Sequence, residues 1–235
     1  MWPGAHILGS YLRSLPADAF AGAEAVELGA GTGLAGLIFA ARGGRVVLTD
    51  SNPVVMSLLR RNAQHNAEAL GGRASVAALE WGDADAAAAL LAGRAGGYSL
   101  LLAADVIYPG SQGYLPALMD TLRSLLGRGH RPRARLLLAY VSRVAVTDRA
   151  LWGALHAAGF ATSELEGTRS VEGCVEGAVF EVVWADEAGW AGAVVPPPPP
   201  DALTGRGTAQ ATATGVVSVA AAVVSLKARE WARYA

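Results

Sequence analysis

The sequence predicts an α/β fold, a mostly parallel sheet covered by helices on both faces, and three observations carry that expectation. Strand-like and helix-like patterns alternate from Glu24 to about Trp184, the order that builds parallel strands with crossover helices. Residues 26–36 read Val-Glu-Leu-Gly-Ala-Gly-Thr-Gly-Leu-Ala-Gly, a short apolar strand entering a turn of alternating glycines that opens a helix. A lone acid, Asp50, then closes the next hydrophobic run.

Strands are expected near 24–28, 45–49, 74–78, 98–103 and 134–141, with helices near 34–42, 53–69, 84–92, 112–127 and 147–158. The helix after Asp50 is the best specified. Asn52 suits the N-cap, Pro53 the first helical position, and Val54, Val55, Leu58 and Leu59 give one apolar face. Gly127 and Gly159 are stop signals for the two helices that precede them. The segments 160–165 and 178–184 are short strand patterns with only a loop between them, so they should pair antiparallel at one side of the sheet. Five parallel strands and this pair make seven.

The domain is expected to span 1–186. Residues 187–214 read as a Pro/Ala/Thr/Gly-rich linker, with a polyproline II spacer at Pro196–Pro200. Residues 215–235 read as an apolar then basic tail, a docking helix or a low-complexity extension. Its Ala/Ser/Thr/Val composition is a poor membrane span. The chain has 235 residues, a formal net charge of −1, one cysteine and four scattered histidines. That composition excludes a disulfide framework and a cysteine-rich zinc site, shows no basic stripe for nucleic acid, and leaves no metal expected. No basic segment followed by an apolar one opens the chain, so a cytoplasmic monomer is expected, with the nucleus also open.

The glycine turn is the centre of the functional reading. Gly29, Gly31 and Gly33 let the backbone take positive φ and let a ligand press on bare main chain, and Asp50 suits a ribose diol. Gly31, Gly33 and Gly36 also satisfy the dinucleotide pattern G-x-G-x-x-G, which needs a helix N-terminus free for pyrophosphate. Glu27, expected at the mouth of the same turn, would repel a pyrophosphate and welcome a cation. S-adenosylmethionine has an ammonium, a sulfonium and no phosphate, so charge favours it over a nicotinamide or flavin dinucleotide.

Other candidates fall just after strands, where open α/β sheets place their ligands. Trp81 would pack on an adenine or cover the domain edge. Asp105 ends an apolar run, where a carboxylate needs a partner; it reads as a group beside the reacting centre or as a cap for the next loop. Tyr108 would orient a substrate amine or simply pack. Arg143 would shape a substrate pocket or pair with a surface acid. Trp2 precedes an amphipathic segment, 7–15, that could lie across the cofactor site, or is a frayed end.

Five pieces in order resemble the family-16 seven-strand methyltransferases, which include the methyltransferase-like 21 group of protein-lysine methyltransferases. They are the opening Trp2-Pro3 with Leu8, Tyr11 and Leu12, the turn 26–36, Leu48-Thr49-Asp50, Leu79-Glu80-Trp81-Gly82, and Asp105-Val106-Ile107-Tyr108. The resemblance covers roughly Trp2 to Trp184. It implies a Rossmann-like, doubly wound seven-stranded sheet, order 3-2-1-4-5-7-6 with strand 7 antiparallel, the class I methyltransferase fold. It also implies that Trp2, Gly29, Ala30, Gly31, Asp50, Trp81 and Ala104 contact S-adenosylmethionine, and that Asp105 and Tyr108 form the D-x-x-Y motif beside the methyl-transfer channel. Members of that family carry residues ahead of the Trp2 position that contribute to a lid; this chain starts almost there.

The implied reaction is methyl transfer to a lysine of a protein substrate, with Asp105 and Tyr108 holding the amine by hydrogen bonds. A small-molecule acceptor, or a non-catalytic cofactor-binding module with an incomplete lid, stands as the alternative.

Overall fold

The computed structural model describes residues 2–94, 97–126, 134–172 and 175–185. Gly127, His130, Cys174, the proline run 196–200 and both tail segments, 187–214 and 215–235, lie outside the described residues.

Eight strands form one sheet: β1 (Glu24–Leu28), β2 (Arg45–Asp50), β3 (Ala74–Ala78), β4 (Leu100–Ala104), β5 (Arg135–Ser142), β6 (Phe160–Glu164), β7 (Ser170–Glu172) and β8 (Val175–Trp184). The helices are α1 (Pro3–Ser14), α2 (Leu34–Ala41), α3 (Pro53–His65), α4 (Ala84–Leu91), α5 (Leu115–Leu125, entered by a 3-10 turn at Gln112–Tyr114) and α6 (Ala145–Ala157). The strand order is β3-β2-β1-β4-β5-β8-β6, with β7 paired to β8 off this path. Strands β1 to β5 pair parallel, and β8 runs antiparallel between β5 and β6. The expected order is therefore present, with β8 as its antiparallel seventh strand.

The one addition is the short β7. Strand β8 starts at Val175 rather than 178, which gives β7 a partner: Ser170 lies opposite Gly177. Gly177 is where the strand passes closest to its neighbours. A Cβ there would come within 2.8 Å of Ile7 Cδ1, Tyr140 O and Val141 Cγ2.

Strand β5 shows why its sequence is apolar without a break from Leu136 to Val141. Leu136, Leu138 and Tyr140 face the core shared with α5 and α6, while Leu137, Ala139 and Val141 face the core shared with α1 and α2. Both faces are covered, so no polar alternation survives. Helix α3 starts as expected, with the Asn52 side chain accepting from the Val54 and Val55 N–H groups.

Helix α1 is not a strap over the ligand side. Its body packs on the sheet face against α2, β5 and β8, with Leu8 and Leu12 fully buried. Each such leucine contributes roughly 1.5–3 kcal/mol by removing its surface from water. Only its first turn reaches the carboxyl edge of the sheet. There the loops leaving β1, β2, β4 and β5 gather, around the reversal of strand order between β1 and β4, where open α/β sheets bind ligands. No helix among the described residues is long and apolar enough to cross a membrane.

Candidate active site

Strand β1 ends in the glycine turn, and the three predicted glycines all take left-handed backbone: φ is 57° at Gly29, 56° at Gly31 and 82° at Gly33. The turn is sewn to β2. The Ala30 N–H donates to Thr49 O at 2.8 Å, and the Thr49 hydroxyl donates to Glu27 O at 2.6 Å. The Gly31 N–H donates to Asp50 Oδ2 at 3.1 Å, and Asp50 Oδ1 accepts from the Asn52 N–H at 3.0 Å. Asp50 thus braces the turn while remaining half-buried at the strand end. Gly31 faces open space, with no atom within 4 Å of where a Cβ would stand. Gly29 is backed by Val106 Cγ1 and Trp81 Cζ2, at 2.9 and 3.4 Å from a notional Cβ, so the Trp81 ring flanks the turn.

Glu27 is placed differently from the expectation. Strand alternation turns it, with Ala25, toward α2, while Val26 and Leu28 face the opposite core. Its side chain is buried, and Oε2 accepts from the Gly36 N–H at 2.9 Å. Gly33, at the N-cap of α2, has no side chain to cap the helix, and Glu27 serves one of its orphan N–H groups from behind. The acid therefore lies under the turn, not at its mouth. Burial pushes its carboxyl up to about 8, against the lowering effect of the Gly36 hydrogen bond; nearby Asp50 raises it further. Gly36 has to be glycine here, since a Cβ would land against Leu48 Cδ2 and 2.5 Å from Glu27 Oε2.

Asp105 also departs from its expected role. It follows β4, whose last residue Ala104 is half-buried beside it. It takes φ 59°, the one positive φ of a non-glycine residue among the described residues. Its side chain is fully buried in a two-point ion pair: Oδ1 accepts from Arg143 Nη1 at 2.6 Å and Oδ2 from Nη2 at 2.8 Å. Oδ2 also accepts from the Gly4 N–H at 3.1 Å. Trp2, the N-cap of α1, offers no cap of its own, so Asp105 caps that helix across the fold. Fully buried and engaged through both oxygens, this acid positions Arg143 and α1. Nor is Arg143 a surface partner, as the sequence had left open.

Above this pair, Trp2 and Tyr108 stack with ring centroids 5.9 Å apart and planes 9° off parallel, and Arg143 Cζ lies 5.8 Å from the Trp2 ring. Ser111 fixes the Tyr108 backbone, its Oγ accepting from the Tyr108 N–H and donating to Tyr108 O. The structure thus brings Trp2, Asp105, Tyr108 and Arg143 into one cluster, and Gly29, Ala30, Gly31, Asp50 and Trp81 into the adjoining turn.

The junction at Gly4 is tight. A Cβ there would sit 2.9 Å from Asp105 Cβ and 3.0 Å from its backbone nitrogen. Gly4→Ala is therefore expected to cost about 1–3 kcal/mol through overpacking, read as a lower urea midpoint with an unchanged denaturant slope.

Comparisons with known proteins cover the part of the chain that carries these residues. A family model described as lysine methyltransferase matches residues 1–150, which include every residue of both clusters. The mouse protein EEF1A lysine methyltransferase 3 is 39% identical over 127 residues, 54% of this chain and 50% of that protein. Zebrafish protein N-lysine methyltransferase METTL21A is 33% identical over 125 residues, 53% of this chain and 54% of that protein. An Arabidopsis thaliana calmodulin-lysine N-methyltransferase is 42% identical over 81 residues, covering 34% of this chain and 26% of that protein. The chain spans about half the length, or less, of these curated relatives. Among solved structures, magnesium protoporphyrin IX methyltransferase from Synechocystis PCC 6803 with bound SAH superposes with a TM-score of 0.55 at 18% identity, covering 77% of this chain and 83% of that one. That likeness establishes the shared fold, and the match over residues 1–150 establishes the rest: this chain belongs to the family-16 lysine methyltransferases.

Proposed function

We propose that this protein transfers a methyl group from S-adenosylmethionine to a lysine side chain of a protein. The observation that carries the reading is what lies together at one sheet edge: an open glycine turn backed by two acids, and a rim of exposed apolar side chains beside it. Six large apolar side chains are exposed among the described residues: Trp2, Val54, Tyr108, Tyr114, Val144 and Val146. All six sit at the start of α1 or on segments just after the carboxyl ends of β2, β4 and β5. A rim of this kind suits a macromolecular surface better than a small solute.

The residues of the turn fit the cofactor. Gly29, Ala30 and Gly31 offer bare or nearly bare backbone, Gly33 turns the chain into α2, and Asp50 presents a carboxylate for ribose hydroxyls. Trp81 flanks the adenine side and Ala104 leaves room along the cofactor. Trp2 and Tyr108 form the wall on the acceptor side. When bound, S-adenosylmethionine supplies an electrophilic methyl group on a sulfonium. The protein's own part is to orient the acceptor amine and exclude water, and a lysine reaching a desolvated site arrives more easily neutral. Glu27 acts here through Gly36 and the turn rather than by touching the ligand, and Asp105 through Arg143 and α1.

The test is transfer of labelled methyl from the cofactor to a protein extract. Label should appear in the protein fraction on lysine, and Asp50→Ala should lower transfer ~10- to 100-fold through loss of a charged hydrogen bond. Label found solely in low-mass products would replace the protein acceptor with a small molecule. Absence of calorimetric binding by a folded chain would remove the cofactor.

A further inference from the structure

A narrow cleft, with a cavity volume of about 20 Å³, opens at the end of β5 against the first turn of α6 and the start of β8. Its innermost space takes one water-sized polar group. Asp148 lines it, held by two hydroxyl donors: Tyr140 Oη at 2.6 Å and Ser142 Oγ at 2.7 Å. Neither donor neutralises the carboxylate. Burial and Asp148 itself drive the Tyr140 phenol well above its usual range, so it stays a neutral donor throughout the working pH. No ion pair forms at Asp148 among the described residues. Arg169, on the far wall, is already engaged by Glu164 and Glu176. Trp152 and Phe180 complete the cleft, their rings 4.6 Å apart, with Trp152 edge-on to Tyr140.

A carboxylate held in place by two hydroxyls, with no ion pair among the described residues and aromatic walls beside it, is a site for a cation. The small innermost space favours a primary ammonium over the broader guanidinium. The cleft lies next to the candidate active site, since Ser142 lines it and the following residue, Arg143, holds Asp105. We propose that this cleft is a subsite for a second lysine of the polypeptide substrate, flanking the acceptor, whose ammonium pairs with Asp148. The inference rests on the polypeptide-acceptor reading given above.

Two measurements separate the two readings. In the first, the full chain is titrated with n-butylammonium chloride while the Trp152 indole resonance is followed, assigned through Trp152→Phe. A saturable shift is expected, absent with neutral 1-butanol, weakened ~10-fold or more in Asp148→Asn, and without a matching change at Trp81. No saturable shift, or an equal response to 1-butanol, overturns the subsite without needing any variant to fold. In the second, lysine-containing peptides are methylated with labelled cofactor, and a flanking lysine is replaced by norleucine. At one fixed offset the replacement should raise KM ~10-fold with kcat unchanged, and Asp148→Asn should abolish that difference. Peptides labelled without any preference for a flanking lysine overturn the subsite alone. Peptides not labelled at all, with Trp152 still responding to butylammonium, overturn the polypeptide acceptor and, with it, the assignment of the cleft's occupant.

Discussion

Arg143→Ala is expected to destabilise the fold by about 3–5 kcal/mol, and to do so more than Asp105→Asn. The guanidinium is the sole cation paired with Asp105 among the described residues, and the Asp105 side chain is completely buried while Arg143 keeps 19% of its surface exposed. Removing the arginine strands a buried carboxylate with one backbone N–H for company. Removing the acid's charge leaves an arginine that can turn toward water, and an asparagine that still caps Gly4 and tolerates the left-handed backbone at 105. The ordering matters more than the size. Urea denaturation of both variants checks it, and equal losses would mean that the pair is a surface contact rather than a buried one. The same substitution frees Trp2 from its cation, so labelled transfer by the folded fraction should fall together with the Trp2–Tyr108 wall.

Much of the scaffold was legible because it is written in local spacing. Apolar runs gave β1 to β6 within two residues, Asn52-Pro53 gave the start of α3, and the alternating glycines gave three left-handed positions. Two acids were harder. Glu27 reads as facing a ligand, and Asp105 as facing the reacting centre or capping the next loop, whereas Glu27 binds the Gly36 N–H and Asp105 the Gly4 N–H and Arg143. The Gly4 bond spans 101 residues and the Arg143 pair 38, separations for which no window of sequence carries a signal. A route to the pair did exist. With β4 and β5 adjacent and Ala104 opposite Ala139, the residues that leave these two strands must emerge side by side. An acid ending an apolar run needs a partner, and Arg143 was the cation on the neighbouring exit. Strand β7 had no such route, because three residues paired through a strand that started early leave no periodicity to read.

Glu27→Gln is expected to change the pH dependence of stability, and the sign follows from where the proton sits. The carboxyl titrates near 4.5 when unfolded and is pushed up to about 8 by burial beneath α2. Below 4.5 both states are protonated and Glu27 contributes no pH dependence. Between those values the unfolded chain gives up its proton and the folded chain keeps it, so stability falls as pH rises. Above 8 both states are ionised and the loss levels off. Each unit of separation is worth about 1.4 kcal/mol, so the effect across the interval amounts to several kcal/mol. Glutamine keeps a neutral acceptor for the Gly36 N–H and carries no proton to lose. The variant should therefore match the parent near pH 5 and exceed it near pH 9, where the parent carries a buried anion beside Asp50. Denaturation curves of both proteins at pH 5, 7 and 9 give the difference directly, since all other titrating groups are shared; parallel curves would sink the assignment. The same proton bears on the ligand. A cation seated at the turn favours the ionised acid, so a cationic cofactor should bind more tightly as pH rises toward 8 and release a proton as it does so, and Glu27→Gln should abolish both effects. A carboxyl that is neutral when the turn is empty and charged when a cation arrives reconciles its burial with the electrostatic preference that the sequence suggested.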